Sequence, residues 1–188
     1  MADRNECREG SSSCHPVILS SCQAIHLLLL DVDGVLSDGR ITYSDRGEEI
    51  KAFHVRDGSG LKLWQEAGKR AGIITGRSSA VVARRAAELG LAPVVQGAAD
   101  KLAAFRRVLV EEKLAPAQVC YVGDDIPDLP VFAHCGLAVA VADACGEARA
   151  AAHYVTRAKG GRGAVRETIE WLLRAQGRWQ EVIERFRG

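Results

Sequence analysis

Short apolar runs alternate with helical stretches along most of the chain, and no other feature narrows the fold as much. Strands are predicted at 25–32, 70–75, 93–96, 119–123, 137–141 and 153–156, and helices at 59–67, 79–89, 100–112, 126–134, 146–152 and 164–175. Strands separated by helices imply a parallel sheet with helices on both faces, a three-layer, doubly wound α/β fold. Gly68, Gly90 and Gly136 each follow a predicted helix, where a left-handed cap is wanted. At 188 residues, 47% of them hydrophobic, the chain suits one well-buried domain and is short for two.

That domain is predicted over 24–176. The polar, Ser-rich leader 1–23 is expected to be flexible. In the tail 177–188, Trp179, Val182, Ile183 and Phe186 fall at helical spacing and read as a packing face. One segment breaks the rhythm. Arg40-Ile41-Thr42-Tyr43 and Glu48 to Phe53 flank Ser44-Asp45-Arg46-Gly47 and predict a β-hairpin flap over about 40–54. A lone two-stranded hairpin is marginal in water, so this one is expected to pair with copies from other subunits.

Charge removes several function classes. The 25 basic and 24 acidic residues nearly cancel, with neither a like-charge block nor basic residues alternating with aromatics, so no nucleic-acid or membrane-surface partner is expected. The apolar stretch from Val17 to Leu36 is interrupted by Ser20, Ser21, Gln23, His26, Asp31 and Asp33 and falls short of a membrane span. A cytoplasmic protein is the expectation. The six cysteines form no Cys-x-x-Cys motif, which favours reduced thiols and disfavours a zinc site from Cys7, Cys14, His15 and Cys22.

Asp31 and Asp33 follow the apolar run Leu27 to Leu30 at the end of a buried strand and share a face. Like carboxylates there repel unless a cation or phosphate chemistry uses them. Other polar residues sit at corresponding places: Thr75 at the end of a strand, Lys101 at the start of a helix, and Asp124 with Asp125 after Cys120-Tyr121-Val122-Gly123. Open α/β sheets bind ligands beyond the carboxyl ends of their strands, where strand order reverses. Acidic strand ends with one hydroxyl and one ammonium describe a site for phosphate plus a hard dication. Oxygen-only ligation favours Mg²⁺ over zinc.

Taken singly, each of these residues is an ordinary turn or helix-start residue. In order, as Asp31-x-Asp33, Thr75, Lys101 and Gly123-Asp124-Asp125-x-x-Asp128, they resemble the four motifs of the haloacid dehalogenase superfamily. The resemblance implies a Rossmann-like sheet and assigns roles. Asp31 is the nucleophile and Asp33 the acid/base. Mg²⁺ is held by Asp31, the Asp33 main-chain carbonyl and Asp124, and Asp125 and Asp128 orient metal-bound waters or Lys101. Thr75, the Gly76 amide and Lys101 bind the phosphoryl oxygens. Neither gap between motifs holds a cap domain.

Longer stretches, above all Phe53 to Gly58 and Gly160 to Glu167, make the chain similar to the 3-deoxy-D-manno-octulosonate 8-phosphate phosphatases. That family implies a homotetramer whose hairpins form a central barrel and a sugar acid phosphate substrate. Arg56, Arg77 and Arg85, with Gly34 and Gly58, are its expected binding residues. Asp100 departs from the family, where a small polar amide is expected, as does the bulky tail. Two alternatives stand beside this reading. One is a phosphatase for a nine-carbon sialic-type 9-phosphate. The other is a non-catalytic oligomerisation module like those at the C-terminus of sugar-acid cytidylyltransferases, against which the clustered carboxylates argue.

Overall fold

The computed structural model describes residues 16–187. Strands β1 (Leu27–Leu30), β4 (Arg70–Ile74), β5 (Val94–Val95), β6 (Val119–Gly123), β7 (Leu137–Ala140) and β8 (Tyr154–Val155) form one sheet in the order β5-β4-β1-β6-β7-β8. Every pairing in it is parallel. Strands β2 (Thr42–Tyr43) and β3 (Glu49–Ile50) make a separate antiparallel hairpin. The helices are α1 (Pro16–Ala24), α2 (Val55–Glu66), α3 (Ala80–Leu89), α4 (Lys101–Glu112), α5 (Leu129–Phe132), α6 (Gly146–Ala151), α7 (Ala164–Ala175) and α8 (Trp179–Glu184).

Both faces of β1 and β6 are covered, which is why they read as unbroken apolar runs. Leu27 to Leu30 and Val119 to Val122 are fully buried, and Trp64, Phe105, Ile169 and Leu172 close over them from the helices. Chain order steps outward from β1 to β4 and β5, then returns to β6 on the other side. The switch point therefore lies between the ends of β1 and β6, the place where Asp31 and Asp124 emerge.

Several boundaries differ from expectation. Helix α2 begins at Val55 rather than 59, because Gly58 and Gly60, poor helix formers, are needed for close packing. A Cβ on Gly60 would touch the Arg166 backbone of α7 at 3.2 Å, and one on Gly58 would meet Arg85 of α3 at 2.5 Å. The helix predicted over 126–134 is a short 3-10 turn, Ile126–Asp128, followed by α5, since Pro127 and Pro130 remove amide donors. Gly68 and Gly90 take the left-handed conformation, but Gly136 does not. Gly136 is small for a different reason: a Cβ there would lie 2.4 Å from the Ala117 carbonyl oxygen.

Residues 16–23, read from sequence as leader, form most of α1. Gln23 Nε2 donates to the Ala175 carbonyl at 2.7 Å, and Gln176 Nε2 donates to the Cys22 carbonyl at 2.7 Å, which ties α1 to the end of α7. Cys7, Cys14 and His15 lie outside the described residues. Cys120 and Cys22 are buried, and burial pushes the Cys120 thiol well up, as befits a core residue. The tail folds onto its own chain: Trp179 lies between the Arg166 and Arg174 guanidiniums, and Val182 is buried. Phe186 is exposed. No helix among the described residues is long and apolar enough to cross a membrane.

Candidate active site

Asp31 leaves the sheet directly after β1, its amide donating to the Val122 carbonyl at 3.0 Å. It is 7% exposed. Lys101, the first residue of α4, sends its ammonium across the strand ends to Asp31 Oδ2 at 2.8 Å and to Asp128 Oδ1 at 2.6 Å. Burial alone would lower the Lys101 pKa, but Asp31 and Asp128 outweigh it and the pKa is raised. Burial likewise raises the Asp31 carboxyl, against the opposing pull of Lys101.

Asp128 is wholly buried and its oxygens are engaged. Oδ1 accepts from the Tyr121 hydroxyl at 2.8 Å as well as from Lys101. Oδ2 accepts from the amides of Asp124 at 2.9 Å and Asp125 at 3.2 Å. Asp128 thus fixes both Lys101 and the Gly123-Asp124-Asp125 turn. Asp125 is exposed; its amide donates to Asp128, and its carbonyl accepts from the Asp128 amide at 2.9 Å.

Carboxylate oxygens of Asp31, Asp124 and Asp128 lie within 4.8 Å of one another. Burial, followed by the charges of Asp31 and Asp128, pushes the Asp124 carboxyl up to about 7. Asp31 Oδ1 and Asp124 Oδ1 are buried with no hydrogen-bond partner among the described residues. Two unpartnered carboxylate oxygens close together, beside a third carboxylate that is already satisfied, fit a hard dication that Asp31 and Asp124 would hold. Gly34 makes this approach possible: a Cβ there would sit 2.0 Å from Asp124 Oδ2.

Asp33 faces the hairpin. Its Oδ1 forms an ion pair with Lys51, whose side chain is entirely shielded from solvent, and its Oδ2 lies 3.5 Å from Arg77 Nε. Glu49 of β3 takes Arg77 Nη2 at 3.0 Å and the Ser79 hydroxyl, and it lies 3.5 Å from Lys51. The Ser79 hydrogen bond, first among several donors, holds Glu49 below the usual carboxylate range. Sequence reading missed Glu49, Lys51 and Tyr121. The available signal was the Glu-Ile-Lys alternation, which puts opposite charges on one strand face next to a predicted site.

The remaining expected residues divide into two groups. Thr75 is buried at the end of β4, with its amide on the Val95 carbonyl, and Gly76 and Arg77 follow at the mouth. Gly160 presses on the turn that follows Asp31, where a Cβ would fall 1.6 Å from the Gly34 carbonyl oxygen. The glycine-rich loop is therefore a fitted wedge and not a loose connector. Its position is set by the Asp143 carboxylate, which accepts from the Gly160 amide at 2.9 Å, and by Glu167, which accepts from the Ala158 amide. Arg85 stacks on Phe53 and pairs with Glu88, beside Gly58. Arg56 lines a cavity of about 560 Å³ with His54, Arg157, Arg166 and Trp171, whose walls include neither Asp31 nor Asp124. Asp100, the departure from the family, caps α4 through the Ala103 amide at 2.9 Å.

A family model for haloacid dehalogenase-like hydrolases matches residues 90–168. The 3-deoxy-D-manno-octulosonate 8-phosphate phosphatase of Escherichia coli strain K12 is 49% identical over 165 residues, 88% of either chain. The solved phosphatase of that name from Moraxella catarrhalis, in complex with magnesium ion, phosphate ion and KDO, superposes with a TM-score of 0.88 at 42% identity, covering 90% of this chain and 98% of that one. A cobalt-bound form from Haemophilus influenzae gives a TM-score of 0.82 at 40% identity, covering 85% and 93%. Near-complete overlap at such identity goes beyond a shared fold, and the chain belongs to the 3-deoxy-D-manno-octulosonate 8-phosphate phosphatase family of haloacid dehalogenase-like hydrolases.

Proposed function

We propose that this protein is a Mg²⁺-dependent phosphatase that hydrolyses 3-deoxy-D-manno-octulosonate 8-phosphate to the free sugar acid and inorganic phosphate, a step in lipopolysaccharide core synthesis. The observation that carries it is the buried Asp31–Lys101–Asp128 cluster beside Asp124, with one unpartnered oxygen on each of Asp31 and Asp124.

The residues divide the work as follows. Asp31 attacks phosphorus in line, forming a P–O bond as the bond to the sugar oxygen breaks, and Asp33 gives its proton to the departing alkoxide. Asp33 then takes a proton from the attacking water while the acyl phosphate P–O bond breaks and Asp31 is regenerated. Lys101, with Thr75 and the Gly76 amide, binds the phosphoryl oxygens, and its ammonium offsets the charge that develops there. Asp31, Asp124 and the Asp33 main-chain carbonyl would hold Mg²⁺, which when bound would neutralise charge and so let an anion attack an anion. Arg77, at the mouth beside Asp33 Oδ2, supplies a cation for holding the sugar acid.

The working unit is read as a homotetramer. Ile41, Tyr43 and Ile50 of the hairpin are half or more exposed, an apolar surface that copies of the same hairpin would cover.

Phosphate release is to be followed with the octulosonate 8-phosphate, a nine-carbon sialic-type 9-phosphate and a generic phosphate ester, each with and without Mg²⁺, and with Asp31→Asn as control. Strong preference for the octulosonate, lost on Asp31→Asn, is expected. Preference for the nine-carbon ester would move the substrate and keep the chemistry. No release from a folded, Mg²⁺-loaded protein would favour the oligomerisation module.

A further inference from the structure

A buried ammonium is costly unless paired, so the placement of Lys51 calls for a reason. Its side chain has no solvent exposure and ends on Asp33 Oδ1, with Ser37 Oγ 3.4 Å from the same oxygen. Asp33 Oδ2 is left facing Arg77 Nε at 3.5 Å. Lys51 is itself held: Glu49, two residues earlier on the same strand face, lies 3.5 Å away and is bound to Arg77 and to Ser79, the N-cap of α3. A continuous polar chain thus runs from the start of α3, through the hairpin, to the carboxyl of Asp33.

We propose that Lys51 is a positioning residue for Asp33. By engaging Oδ1 it fixes the carboxyl's rotamer and leaves Oδ2 to carry the proton to the leaving oxygen and to collect one from water. The proposal rests on the reading of Asp33 as acid/base. Unanchored, a partly exposed carboxyl at a turn samples several rotamers, and a misplacement of about 1 Å can cost on the order of 10²-fold in rate. The hairpin, whose other role is assembly, then becomes part of the catalytic apparatus without touching phosphorus.

The test uses the Mg²⁺-loaded protein and two esters. The sugar phosphate leaves as an alkoxide and needs a proton; p-nitrophenyl phosphate leaves as a stable phenolate and does not. Lys51→Met is expected to slow cleavage of the sugar phosphate by on the order of 10²-fold, within the usual range for general acid catalysis, while the pre-steady-state burst of p-nitrophenolate changes by less than about fivefold. Lys51→Arg, which restores a cation of similar reach, is expected to recover most of the loss. Equal loss on both esters, no loss on either, or no recovery with Lys51→Arg would overturn the proposal. Should Lys51→Met not fold, Lys51→Gln against Lys51→Arg makes the same comparison. Asp33→Asn separates the two levels: if it cleaves the sugar phosphate at the wild-type rate, the acid/base reading itself fails. If Asp33→Asn shows the split between esters and Lys51→Met does not, the role of Lys51 alone is wrong.

Discussion

Gly34 adopts φ +91°, and a side chain there would collide with Asp124 Oδ2, so backbone freedom and space are required at once. Gly34→Ala is expected to lower turnover by on the order of 10²-fold and to weaken Mg²⁺ binding while far-UV circular dichroism stays native; a Mg²⁺ titration by calorimetry checks it. Asp124 supplies a second prediction. Its folded carboxyl sits at about 7 against an ordinary 3.8. Without metal, raising the pH between these values deprotonates the unfolded chain while the folded one keeps its proton, so this group's contribution falls, and the full penalty is present above about 7. A dication favours the ionised form and removes that penalty. The rise in Tm on adding Mg²⁺ is therefore expected to be small near pH 5.5 and to grow through pH 7 to 8, which a thermal-shift series reads directly. Asp31, Asp33, Thr75, Lys101 and Asp124 were legible because their types stand at strand or helix ends in a βα rhythm. For Glu49 and Lys51 the Glu-Ile-Lys alternation shows only a charged strand face, and it is the fold-back of the hairpin that brings that face to Asp33; Tyr121 lies in an apolar run whose depth in β6 has no local signature.

Among the elements, α2 and α7 form the contact that the sequence pattern disguised. Asp57, buried in the first turn of α2, accepts from the amides of Gly163 at 3.2 Å and Arg166 at 2.8 Å, and so caps the start of α7 from another helix. Periodicity placed the start of α2 after this residue because Gly58 and Gly60 weaken the local helical signal. Asp57→Ala is expected to destabilise the protein by roughly 2–3 kcal/mol, since two amides lose a charged acceptor, with little change in KM in the protein that remains folded. Urea unfolding measures the first effect and steady-state kinetics the second. Asp57→Asn, which keeps one acceptor oxygen, should fall between. The motif Phe53 to Gly58 that made the family recognisable is thus largely architecture in this chain: His54 caps no amide with its side chain, Asp57 caps α7, and Gly58 admits Arg85.

At the scale of the molecule, the hairpin presents two different faces. Glu49 and Lys51 lock it to the mouth, while Ile50, paired with Thr42 in the ladder, projects outward and is half exposed. A homotetramer is expected by sedimentation velocity at micromolar concentration, and Ile50→Lys is expected to shift it to smaller species, because a charge would be buried where hairpins meet. A monomeric wild-type protein would refute the assembly reading. The order of strands and helices, the carboxylate pair after β1 and the absence of a cap between motifs were all determined by the sequence itself. Period-two and period-3.6 patterning and the residue types at element ends are local properties that survive without a fold. Which oxygens stay unpartnered, why Gly160 must meet Gly34, and which cation holds Asp33 were decided only in the tertiary structure. Those are distances between segments far apart in the chain, and they come into being when the sheet closes its switch point and the hairpin folds back over it.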